Sequence, residues 1–82
     1  MAGKKQQIVM KDEVFYARLG KRIKELRTEA DFTSAEAFAY EIKMSRTQYL
    51  EYEKGMDMRL STLRKLAAVH NITLEELLKG LE

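Results

Sequence analysis

The 82 residues include no cysteine, no proline and no tryptophan, and only four glycines and one histidine. Without cysteine, neither disulfides nor thiolate-bound metals can hold the fold, a composition compatible with a reducing cytoplasm. Without proline, turns depend on glycine, Asn, Asp and the side chains that cap helices. No apolar run approaches the ~20 residues of a membrane span. The opening stretch "MAGKKQQIVMK" has no long apolar segment, so no secretory signal is expected. The lone histidine, His70, has no cysteine or second histidine at a ligating spacing, so no metal site is expected. It falls near a helix C-terminus, where a cation is mildly favoured. There is no phosphate-cradling glycine loop, and Glu75-Glu76 belong to a capping turn. Neither catalysis nor a cofactor is expected.

A chain of this length makes one domain with an economical core. Formal net charge is only +2, but residues 1–30 carry eight Lys/Arg against four Asp/Glu. A charge excess of this kind most often marks a solvated helix face.

Residues 1–12 show no period and read as a flexible arm preceding a domain over 13–82. From Phe15 the pattern sharpens. Phe15, Leu19, Ile23, Leu26 and Ala30 recur at helical spacing and form one apolar stripe. Gly20 interrupts it and weakens the helix by up to ~1 kcal/mol relative to alanine, marking either a close packing contact or nothing. "FTSAEA", "MSRTQY" and "ITLEEL" each place Ser or Thr three residues before Glu or Gln. They read as capping boxes: Thr33 with Glu36, Ser45 with Gln48, Thr73 with Glu76. Gly55 and Asn71 suit the left-handed position just beyond a helix end. The reading is all-α: five helices over about 13–29, 34–42, 45–54, 60–69 and 73–79, with short connections.

The gap between the second and third helices, Lys43-Met44, is the informative one. So short a link suits the sharp bend of a helix-turn-helix better than an antiparallel hairpin. Tyr49 and Tyr52 then face inward, while Arg46, Thr47, Leu50 and Glu51 face outward.

The run "LGKRIKELRTEADFTSAEAFAYEIKMSRTQYLEYEKG", followed by "LSTLRKLAAVHNITLEELL", resembles the Xre/Cro-repressor-type helix-turn-helix family, with its lambda-repressor-like DNA-binding domain. The resemblance covers about residues 18–78. It rests on Leu26-Arg27, on Glu53-Lys54-Gly55 and on Leu74-Glu75-Glu76-Leu77 taken together. Three departures stand out. The stretch from Phe32 to Ser45 reads one residue longer than the usual pattern, leaving Ser34 or Ala35 opposite the family's phosphate-binding glutamine. Lys43 stands where the family turn often has glycine. The loop "GMDMRL" lacks the usual proline and capping serine, leaving Asp57 or Ser61 to cap the fourth helix.

The resemblance implies a small bacterial transcriptional regulator, a repressor, that reads double-stranded DNA with helix 45–54. Arg46 would fork onto guanine O6 and N7, and Thr47 would meet a base or a thymine methyl. Gln48 divides between its capping role and a phosphate. Glu51 either accepts from cytosine N4 or acts as a negative filter against wrong sequences. Ser34, Ala35, Ser45, Leu50, Lys54 and Arg59 complete the implied DNA-facing set. Arg27 and Glu53 would form a structural salt bridge between helices one and three. Tyr40 would stack on an exposed base or reach a phosphate.

A homodimer is the expected assembly, paired through helix five, its tail and the end of helix four. Leu81 is expected to be exposed in the monomer, with Val14 and Tyr16 extending the patch. Two rival readings share the fold: an antitoxin-like autoregulator with a toxin partner, and a protein-interaction module that has lost DNA binding.

Overall fold

The computed structural model describes residues 10–82, and the arm expected over residues 1–12 lies mostly outside them. Its last residue, Asp12, already belongs to a helix. The described residues form five helices and no strand: α1 Asp12–Glu29, α2 Ala35–Glu41, α3 Arg46–Glu53, α4 Leu60–Val69 and α5 Leu74–Leu78.

Local chemistry starts most of them. Asp12 and Glu13 sit in the first turn of α1 and Arg27 in its last, each sign complementing the helix dipole. Ser45 Oγ accepts from the Gln48 amide at 3.3 Å, and Thr73 Oγ1 from the Glu76 amide at 3.0 Å. Two expected caps are corrected. Ser34, not Thr33, caps α2, accepting from the Ala37 amide at 3.1 Å. Arg27 Nη1 holds the Phe32 carbonyl at 2.7 Å and Phe32 packs edge-on against Phe38, so the chain runs one residue further before it turns. At α4 neither Asp57 nor Ser61 caps: Arg59 occupies the N-cap without a side-chain bond, and Ser61 is already inside the helix. Asp57 instead lies beside the Tyr16 hydroxyl.

Helices α1 to α4 end in one way. The residue after the C-cap adopts positive φ: Asp31 at 70°, Lys43 at 58°, Gly55 at 107° and Asn71 at 58°. The next amide reaches back to the carbonyl five residues earlier, as Met44 does to Ala39 at 2.9 Å and Ile72 to Ala67 at 3.0 Å. This is the Schellman arrangement, and its following residue is apolar each time: Phe32, Met44, Met56, Ile72. The left-handed region costs an L-residue about 1–2 kcal/mol, a cost that Asp and Asn ease through short polar side chains and glycine avoids. Lys43 has neither means.

The core gathers Leu19, Ile23 and Leu26 of α1 with Phe38, Tyr49, Tyr52, Leu66 and Leu77. Ala30, expected in the α1 stripe, is instead its exposed C-cap. Helix α1 packs against α2, α3 and α5. Arg22 donates to the Leu77 and Glu76 carbonyls at 3.3 and 3.1 Å, satisfying the C-terminal end of α5. Arg18 donates to the Leu81 carbonyl at 3.2 Å. Leu81, expected to be exposed, is therefore tucked in, only 7% exposed.

His70 also departs from expectation. Its ring stacks on Phe38 with centroids 5.2 Å apart, and its Nε2 is buried with no hydrogen-bond partner among the described residues. Burial lowers its pKa, aided by nearby Arg22 and opposed by Glu29. Desolvation thus outweighs the helix-end preference for a cation. Because the folded ring resists the proton and the unfolded one does not, the stability tied to His70 is complete above about pH 6.5 and is lost as pH falls below that. Denaturant melts at pH 7.5 and 5.5 should show a loss that His70→Gln reduces; an equal loss in the variant would assign it to other groups.

Candidate nucleic-acid interface

Helices α2 and α3 are joined by Ile42, Lys43, Met44 and Ser45. The backbone turns over Lys43, Met44 packs half-buried against the core, and Ser45 starts α3. A helix launched this way has an inner and an outer side. Tyr49 and Tyr52 supply the inner side, both buried. Arg46, Thr47 and Gln48, the whole first turn, are exposed along with Ser45.

The other end of α3 is clamped by α1. Arg27 Nε donates to Glu53 Oε2 at 2.7 Å and Nη2 to Oε1 at 3.2 Å, a two-pronged ion pair with side chains 6% and 9% exposed. Burial pushes the Tyr49 phenol up, beside Glu53 and Arg27. Among the described residues its hydroxyl meets the hydrogen-bond geometry of no partner. Seven residues before Arg27 on α1, at Gly20, α1 and α3 touch backbone to backbone. A Cβ on Gly20 would lie 2.6 Å from the Glu53 carbonyl oxygen and 2.7 Å from that of Tyr52. The glycine within an apolar helical stripe was the sequence signal for this contact, and burial of that stripe decides its meaning. The C-terminal half of α3 is therefore fixed while its first turn stays free.

The remaining candidate residues divide. Lys54 is exposed and makes only a 3.8 Å surface contact with Glu51, a pair worth little. Arg59 is exposed at the head of α4. Tyr40, on α2, is 85% exposed. The Ser34 hydroxyl is already engaged, accepting from Ala37 and donating to Glu36 Oε1 at 3.3 Å. Two candidates are corrected. Ala35 is buried, 8% exposed, its methyl directed to the core rather than outward. Leu50, expected on the outer side, is half-buried against the core, because α3 nestles in a groove with α1 and α2 on either side. Among the described residues no cluster of His, Asp and Glu is arranged to hold a metal, and no helix is long and apolar enough to cross a membrane.

The family described as Helix-turn-helix matches residues 23–77, from the buried half of α1 into α5. The chain belongs to this family, in its Xre/lambda-repressor-like class. A relative, Control protein C.MunI of a Mycoplasma species, is 39% identical over 66 residues, spanning 79% of this chain and 89% of the relative. No solved structure matches at a significant level. As a member of the helix-turn-helix family the chain is a DNA-binding transcriptional regulator.

Proposed function

We propose that residues 13–82 act as one repressor domain that lays α3 in the major groove of double-stranded DNA, with α2 bracing it across the backbone. The observation that carries this reading is the division of α3: a clamped C-terminal half and an exposed first turn of Arg46, Thr47 and Gln48. Arg46 has no ion-pair partner among the described residues, so its fork is free for guanine O6 and N7. Thr47 stands beside it for a neighbouring base. Lys54 and Arg59, exposed beyond the helix, serve the phosphates. Ser34 and Ser45 sit at the two helix starts, and Glu51, half-buried, either accepts from cytosine N4 or screens against wrong sequences. The proposed ligand is double-stranded DNA in the cytoplasm.

One such domain reads few base pairs, so the proposal includes a homodimer on a palindromic site with half-sites ~34 Å apart. Burial of Leu81 takes that residue out of the pairing surface. Val69 at the end of α4 and Val14 near the start of α1 keep 42% and 41% of their surfaces exposed and remain available to it. Selection of bound sequences from a random duplex library should return a two-fold symmetric motif, and sedimentation on that duplex should show two chains. A single asymmetric half-site holding one chain would overturn the dimer. Recovery of no enriched sequence would overturn specific binding altogether.

A further inference from the structure

We propose that Lys43, at the turn between α2 and α3, is a contact to the DNA backbone, a role that rests on the reading of α3 as the DNA-facing helix. The argument starts from the four alike helix ends of this chain. Three have residues suited to positive φ: Asp31, Gly55 and Asn71. Only the turn of the helix-turn-helix carries a residue with no conformational reason to be there, at φ 58°. The two bonds of that turn, Lys43 amide to Tyr40 carbonyl at 3.1 Å and Met44 amide to Ala39 carbonyl at 2.9 Å, use backbone alone. Any residue except proline would make them.

The side chain offers the fold nothing in return. It is exposed, and among the described residues it forms neither an ion pair nor a hydrogen bond. The nearby acid in sequence, Glu41, is exposed and does not pair with it. Residues held in a strained backbone by the structure around them cluster at functional sites. Lys43 stands two residues before the cap of α3 and three before Arg46, so an exposed ammonium on a long stem lies close along the chain to the free first turn. A flexible stem carrying a point charge suits a phosphate oxygen, not a base edge. Lys43 therefore adds affinity without sequence preference, while Arg46 selects.

The test uses the full chain and the duplex recovered by selection, with binding measured across a range of KCl concentrations, and thermal melts in parallel. Lys43→Gly and Lys43→Asn relieve the backbone and remove the charge; Lys43→Arg keeps both strain and charge. The glycine and asparagine variants should melt higher than the parent chain yet bind several-fold more weakly. Their plots of log affinity against log salt should be shallower by about 0.9, the share of one phosphate contact. That loss should be the same on matched and single-substituted sites. Lys43→Arg should bind with the parent's affinity and slope. Glycine and asparagine variants with parental affinity would overturn the proposal. So would weaker binding with an unchanged salt slope, because turn geometry would then be responsible, and so would an arginine variant as weak as the asparagine one. A parent chain that binds no duplex would overturn the reading of α3 itself, and this role with it.

Discussion

Arg27→Met is expected to cost about 3–5 kcal/mol of stability, because it leaves the Glu53 carboxylate buried and unpaired. Both side chains are more than nine-tenths buried, so water cannot take over the lost partner cheaply. The Phe32 carbonyl loses its 2.7 Å donor in the same step, freeing the loop that sets the start of α2. At ~4–8 °C per kcal/mol for a domain of this size, the melting temperature should fall by about 12–40 °C. Arg27→Met combined with Glu53→Met should recover part of the loss, since the stranded charge is then gone. DNA binding by the single variant should fail only at temperatures where the chain has begun to melt. An unchanged melting temperature with weakened DNA binding would make Arg27 a direct contact instead.

Gly20→Ala should also destabilise, against the usual trend. In an exposed helix interior this change gains up to ~1 kcal/mol. Here the new methyl would lie within 2.7 Å of two backbone carbonyl oxygens of α3, and backbone has no rotamer with which to yield. Helices α1 and α3 must separate, loosening the packing around Tyr52 and the Arg27–Glu53 pair that lies on the same interface. Overpacking of this kind costs about 1–3 kcal/mol, enough to reverse the propensity gain. Because the contact is at the clamped end of α3, the surviving folded protein should hold its first turn at an altered angle and bind DNA more weakly. Denaturant unfolding decides the matter: a variant as stable as the parent, or more so, would show that the two helices part freely.

What the sequence reveals here is mostly local. Ser45 and Thr73 announce helix starts because a hydroxyl three residues before an amide needs nothing else to cap it. Gly55 and Asn71 announce helix ends because their residue types fit a left-handed backbone. Most of the misreadings have a different cause, a partner outside the local pattern of residue types. Thr33 and Ser34 are both capable of capping, and Arg27 decides between them by holding Phe32. Leu81 looks like a loose apolar tail until Arg18, 63 residues earlier, ties down its carbonyl. His70 looks like a helix-end cation until Phe38 covers its ring. Leu50 shares a turn with outward residues, and only the seating of α3 between α1 and α2 shows that it is half-buried. For the candidate site, residue type and spacing indicate the exposed turn of α3, whereas Gly20 gains meaning only once the α3 backbone is placed against it.

The central claim is that α3 reads sequence through Arg46. The most direct measurement compares Arg46→Ala with the parent chain on the selected duplex and on every single-base-pair substitution of it, with circular dichroism confirming an intact fold. Arg46 is exposed and unpaired among the described residues, so its removal should leave stability unchanged. The variant should lose discrimination at one base pair in each half-site, worth ~1–3 kcal/mol, and keep its preferences elsewhere. An equal loss on all sequences would make Arg46 a phosphate contact and contradict the claim that it reads bases.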